Sequence, residues 1–170
     1  EALARWQKSD GTFVSPEEFI PLFESSGFIT RFDMYIWKSV CKTLAAWQDK
    51  GCKLVPISIN VSMIDITNID VPQYLSMLTE QYHISPEYLP VEITESVFAE
   101  SNTIVKNTIT RFHKKGFYVL MDDFGSGYSS LNVLKDANVD YLKLDMKFMQ
   151  IDAKNKGKGI QILKSIVDMA

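Results

Sequence analysis

A chain of 170 residues with 46% hydrophobic content is long enough to bury a core of its own as one domain. Its 18 basic and 21 acidic side chains leave a net charge of −3, which argues against gripping polymeric DNA or RNA through phosphate neutralisation. A small phosphorylated ligand held through metal ions remains compatible with that balance.

Cys41 and Cys52 are too few for a disulfide framework, and with only His83 and His113 beside them a Cys/His zinc site has little support. The chain reads as one of a reducing, cytoplasmic compartment. No segment has the apolar length to cross a bilayer, and none has signal-peptide form, so any membrane anchor would lie in other segments of the parent protein. Both ends have the look of cuts in a longer polypeptide: Glu1 opens inside a motif, and Ile166 to Ala170 stops within a helical pattern.

In chain order, Ser15-Pro16-Glu17-Glu18 has the form of a helix start, with a capping hydroxyl, proline in the first turn and acids at the positive end. Apolar spacing then predicts a short helix, a break at Gly27 and a longer helix from Ile29 to near Gly51. Leu54 to Val61 is rich in β-branched residues and too short for a helix, so it reads as a buried strand. A helix is expected from Val71 to Tyr82, a strand over Leu89 to Glu95, and a helix from Asn102 to Lys115 closed by Gly116. The apolar run Phe117 to Met121 is a further strand, delivering Asp122 and Asp123 into a glycine-serine loop. A helix over Ser129 to Asp136, a strand over Val139 to Asp145 and a helix from Lys158 complete the series. The basic stretch Lys154 to Lys158 reads as a solvated loop, and His113 as a surface residue. Alternating strands and helices indicate βα units around a parallel sheet.

Four of these strands deliver polar groups at their C-terminal ends: Asn60, then Glu92 and Glu95, then Asp122 and Asp123, then Lys143 and Asp145. That is the ligand-binding end of α/β sheets and barrels. Two adjacent carboxylates at the end of a buried strand repel one another unless a cation compensates them. Mg²⁺ or Mn²⁺ takes carboxylate, amide and water oxygens, which matches Asn60, Glu92, Asp122 and Asp123 as a set. Two such ions, roughly 3.5–4 Å apart and sharing a carboxylate, can clamp a phosphoryl group for in-line attack by water. Lys143 would then orient that water or offset developing charge. The competing reading is a structural ion-pair network with Lys143 pairing Asp123 or Asp145, and for Asp145 a supporting role fits equally well.

Gly125 to Ser130 follows a strand and opens a helix, as a dinucleotide-binding loop does. Ser130 stands in place of the third glycine, however, and Asp122-Asp123 would repel a pyrophosphate. A mobile loop turning close to the metals is the better account, with Glu95 bracing it by accepting hydrogen bonds. An exposed acid at a strand end is the bland reading of Glu95. Serine or cysteine catalysis finds little support, since there is no Gly-x-Ser-x-Gly elbow and neither histidine neighbours an obvious nucleophile.

With these residues laid out, the chain resembles the EAL domain family of cyclic di-GMP phosphodiesterases. Glu1-Ala2-Leu3-Ala4-Arg5-Trp6 matches the family's name-giving motif. Phe19-Ile20-Pro21, Ser58 to Ser62, Glu92-Ile93-Thr94-Glu95-Ser96, Asp122 to Leu131 and Lys143-Leu144-Asp145 follow in the family's order. The resemblance spans residues 1–170 and implies a modified TIM-type (βα)₈ barrel in the α/β class, hydrolysing cyclic di-GMP to linear pGpG with two Mg²⁺ or Mn²⁺ ions.

Carried over residue by residue, Glu1, Asn60, Glu92 and Asp122 would hold one metal, and Asp122 with Asp123 the second. Lys143 would contact the catalytic water and Glu95 brace the loop. Leu3 and Arg5 would touch substrate, Arg5 on a phosphate. Glu1, Leu3 and Arg5 come only from the resemblance. The family continues with a Glu-Gly-Val-Glu strand and a Gln-Gly segment that are not in these residues, so the barrel is expected to be incomplete, its last strands missing. Such a piece is expected to be inactive alone and to have open edges that invite pairing. A homodimer and additional sensor or cyclase domains in the parent are compatible with the likeness. The alternative function is a non-catalytic cyclic di-GMP receptor.

Overall fold

In the computed structural model, which describes residues 1–99, 103–125 and 137–145, the first element is an antiparallel hairpin of β1 (Trp6–Gln7) and β2 (Phe13–Val14). The sequence did not announce it, because two-residue strands carry too few side chains to alternate. Helix α1 (Pro16–Ser25) follows, with Glu17 and Glu18 in its first turn. The expected hydroxyl cap is not made. Ser15 instead offers its carbonyl to the N–H groups of Glu18 and Phe19, at 3.0 and 3.3 Å. Gly27, at φ +70°, breaks the chain before α2 (Ile29–Asp49), as the sequence predicts. Phe23 of α1 packs its ring among those of Trp6, Phe19, Phe28 and Phe32.

The remaining described elements are, in chain order, β3 (Ile59–Asn60), α3 (Met63–Asn68), α4 (Val71–Gln81), a 3₁₀ turn (Pro86–Tyr88), β4 (Val91–Thr94), α5 (Glu95–Ala99), α6 (Thr103–Lys114), β5 (Val119–Phe124) and β6 (Tyr141–Leu144). Strands β3, β4, β5 and β6 lie side by side in chain order, all parallel. Parallel neighbours taken consecutively, with helices between β3 and β4 and between β4 and β5, form an arc of a TIM-type barrel. The Ala2 N–H donates to the Ser58 carbonyl at 2.8 Å and so lays the first residues along the free side of β3.

Period-two alternation divides this sheet into two faces. Ile59, Val91, Ile93, Val119 and Met121 are fully buried against Trp37, Val40, Cys41 and Leu44 of α2, Leu75 and Leu78 of α4, and Val105, Ile109 and Phe112 of α6. Each such apolar side chain contributes roughly 1.5–3 kcal/mol by leaving water. The other face carries Asn60, Glu92 and Asp122. Asn60 is registered opposite Glu92, and Thr94 opposite Asp122. Met121 pairs with Leu142, so the next step along both strands sets Lys143 beside Asp122.

Several boundaries differ from those the sequence predicts. The strand expected over 54–61 is paired only at its end, because Val55 is 53% exposed and Pro56 has no N–H to give to a ladder. The strand expected through Glu95 stops at Thr94, and Glu95 begins a helix. The strand expected to end at Met121 runs on through both aspartates, with an irregularity between Met121 and Phe124 and Asp123 at φ +56°. Helix α3 was unforeseen although it carries a capping box: the Ser62 hydroxyl accepts from the Asp65 N–H at 3.1 Å, and Asp65 accepts from the Ser62 N–H at 2.9 Å. Six residues are too few for a periodic signal. His113 is half-buried rather than on the surface, 3.0 Å from Asp140, whose carboxylate also accepts from the Val119 N–H at 2.7 Å. The helices expected over 129–136 and from 158 onward, the basic stretch 154–158 and loop residues 126–130 lie outside the described residues.

Candidate active site

The polar face of the sheet converges on one ammonium group. Lys143 Nζ lies 2.8 Å from Glu92 Oε2, 3.2 Å from Glu1 Oε2 and 3.2 Å from Asp122 Oδ1. One carboxylate oxygen each of Glu1, Glu92 and Asp122 falls within 4.8 Å of the other two. Asn60 joins them by donating from Nδ2 to Glu1 Oε1 at 3.3 Å, and its own carbonyl accepts from Trp37 Nε1 at 3.0 Å. Thus α2 fixes the end of β3, and β3 fixes the first residue of the chain.

Burial shapes the charges. Glu92 is 2% exposed, and desolvation raises its carboxyl above the ordinary glutamate range despite hydrogen bonds from Lys143 and Ser58. Burial works against ionisation of Glu1 too, but there the bonds from Asn60 and Lys143 prevail and its carboxyl is lowered. Desolvation disfavours the Lys143 ammonium, yet Glu92, Glu1 and Asp122 outweigh it and hold Lys143 protonated beyond the usual lysine range. With all three acids ionised, three negative charges against one positive leave a formal −2. Three carboxylate oxygens that close together are within reach of a single hard divalent ion at 2.0–2.6 Å, about the Mg²⁺ and Ca²⁺ bond range. An amide beside them completes a donor set suited to such an ion.

The remaining sequence-predicted residues fall around this centre. Asp123 donates its N–H to Asp122 Oδ1 at 2.9 Å, but its carboxylate is exposed and is not among the oxygens that converge. Glu95 is 6% exposed, not the open acid of the bland reading, and its Oε2 accepts from the Gly125 N–H at 3.0 Å. Asp145 ties the end of β6 to β5 through its N–H on the Phe124 carbonyl at 3.0 Å. Leu3 and Arg5 are exposed and line a cavity of about 470 Å³ that also reaches Asn60 and Glu92.

Three contributors were not foreseen. Ser58 bonds Glu92 and sits two residues before Asn60, so strand alternation could have placed it on the same face. Trp37 reads in sequence as one more apolar residue of a helix, with no signal of its indole bond. Asp33, on the cavity wall, looks in sequence like the solvated side of α2.

The EAL domain family model matches residues 1–170. The chain belongs to the EAL domain family. Among the relatives of this EAL domain is the probable cyclic di-GMP phosphodiesterase PdeB of Escherichia coli (strain K12), 35% identical over all of this chain and 32% of that protein. The cyclic di-GMP phosphodiesterase PdeR of the same organism is 32% identical over all of this chain and 25% of its own length. A solved structure of the PaMucR phosphodiesterase in complex with c-di-GMP superposes with a TM-score of 0.80 at 25% identity, covering 97% of this EAL domain and 66% of that chain. The domain therefore spans a third or less of the length of these two curated relatives. No helix among the described residues is long and apolar enough to cross a membrane.

Proposed function

We propose that the protein carrying this EAL domain is a cyclic di-GMP phosphodiesterase that hydrolyses one phosphodiester bond to give linear pGpG with two bound Mg²⁺ or Mn²⁺ ions. The observation that carries the reading is the convergence of Glu1, Glu92 and Asp122 on one point at the C-terminal ends of parallel strands, with Asn60 beside them. The names of the relatives PdeB and PdeR support the same substrate.

Glu1, Asn60, Glu92 and Asp122 would hold one ion, and Asp122 with Asp123 the other. Such ions, when bound, would lower the pKa of water so that hydroxide is available as nucleophile near neutral pH, and would offset charge on the phosphoryl oxygens. Lys143, kept cationic by its three acidic neighbours, donates hydrogen bonds and would orient the attacking water. Arg5 on the cavity wall would meet a phosphate, and Leu3 the body of the dinucleotide. Glu95 would brace the loop that starts at Gly125.

The test is turnover of cyclic di-GMP by the full-length protein with Mn²⁺, beside an Asp122→Asn variant, with the product separated by chromatography. We expect pGpG from the wild type and a loss of more than about 100-fold in the variant. Tight binding without any pGpG from the wild type would refute hydrolysis and leave the receptor reading.

A further inference from the structure

Outside the acid cluster, one buried group lacks a partner. Asp65 is 0% exposed, and its Oδ1 is the one buried side-chain polar atom among the described residues with no hydrogen-bond partner. Its other oxygen is well served, accepting from the Ser62 N–H at 2.9 Å and the Ser62 hydroxyl at 2.7 Å. An orphaned carboxylate oxygen in a dry site is costly unless a donor or cation meets it. The neighbour is itself an acid: Asp33 of α2 stands against Asp65 at carboxyl–carboxyl hydrogen-bonding range and lines the cavity.

We propose that Asp33 and Asp65 share one proton, with Asp33 the neutral acid donating to Asp65 Oδ1, and that Asp65 is thereby a positioning residue that keeps a negative charge off the cavity wall. Two ionised carboxylates cannot share such a site cheaply, whereas one acid and one carboxylate satisfy each other. Desolvation first, and the charges of Asp65 and then Glu24 after it, push the Asp33 carboxyl up to about 8. The charged groups near Asp33 are Asp65 on α3 and Glu24 on α1, and the cavity lining also holds Arg5 and Glu92. Arg5 is the one cation of the cavity lining, and the charges that act on the Asp33 carboxyl, those of Asp65 and Glu24, are both negative. Above the pH at which Asp33 ionises, the wall gains one negative charge. An anionic ligand should then bind about tenfold more weakly, the effect of a unit charge at roughly 10 Å and an effective dielectric near 20.

Infrared difference spectra of the full-length protein between pH 6 and pH 10 test the shared proton directly. We expect a protonated-carboxyl band at pH 7 that titrates away near pH 8, is absent in Asp33→Asn, and moves to lower pH in Asp65→Asn, where the repelling charge is gone. Stability gives a second readout. Asp33 takes up its proton on folding, so the wild type loses stability as pH rises from about 4 to about 8, and Asp33→Asn flattens that slope. The effect on ligand rests on the cyclic di-GMP reading and is measured as the pH dependence of its Kd in chelator. Failure of cyclic di-GMP to bind would sink that reading and leave the spectra and the stability slope to decide the proton pair. A missing band at pH 7, a band that survives in Asp33→Asn, a midpoint unmoved in Asp65→Asn, or Mg²⁺ binding lost only in Asp33→Asn would each overturn the proposal.

Discussion

Replacing Lys143 with Met keeps the aliphatic stem and deletes the charge on which three acids converge. The largest loss is the pair with Glu92, at 2.8 Å and only 2% exposed on the glutamate side. Breaking a buried pair by removing one partner costs about 3–5 kcal/mol. The contacts to Glu1 and Asp122 are longer and partly solvated, and add less than about 1 kcal/mol each. Glu92, already raised by burial, can recover part of this loss by taking a proton. The net expectation is a destabilisation of about 2–3 kcal/mol near neutral pH in metal-free buffer. Its sign with pH follows: without Lys143 the folded state holds a proton on Glu92 more tightly than the unfolded chain, so the deficit grows as pH rises and shrinks in acid. On the proposed reading, Mg²⁺ or Mn²⁺ held by Glu1, Glu92 and Asp122 would replace the missing cation, so saturating metal should narrow the gap between wild type and variant. Turnover should not recover, because the proposed water-orienting donor is gone. Urea unfolding of both proteins in chelator and in metal, beside a turnover assay, measures all of this. Equal stability of Lys143→Met and wild type in chelator, or a gap that metal leaves unchanged, would refute the electrostatic account.

Three further outcomes are expected. Glu95→Ala removes the acceptor for the Gly125 N–H, and should lower kcat about 10–100-fold while global unfolding shifts little, as measured by parallel turnover and urea titration. Trp37→Phe keeps a ring in the core but deletes the indole donor to the Asn60 carbonyl, and should cost about 1–2 kcal/mol and weaken Mn²⁺ binding by calorimetry. Cys41 is buried, its thiol pushed up to about 11 by desolvation, while Cys52 is exposed. A thiol reagent at neutral pH should therefore label Cys52 at once and Cys41 only on unfolding, as read by mass spectrometry; rapid labelling of both would contradict the packing of α2.

The parallel sheet and the polar groups at the ends of its strands were legible in the sequence because both rest on local patterns. Buried runs ending in Asn60, Glu92, Asp122 and Lys143 put polar groups at corresponding places on successive strands, and a parallel sheet in chain order brings such places together. The family motifs added Glu1, which no local pattern selects, since its place beside Asn60 depends on an Ala2–Ser58 backbone bond between segments far apart in the chain. Short elements escaped for want of side chains: the hairpin β1–β2 and the single-turn helices α3 and α5 are too brief for a period to register. Only the tertiary structure decided which charges meet. Lys143 pairs with Glu1, Glu92 and Asp122, and Asp123, exposed at a left-handed position of β5, is not in the cluster of converging acids. Nor does any spacing announce that Asp33, on what reads as the wet side of a helix, lies against Asp65. Periodicity records which face of an element is dry, whereas ion pairing depends on distances between elements, which packing alone sets.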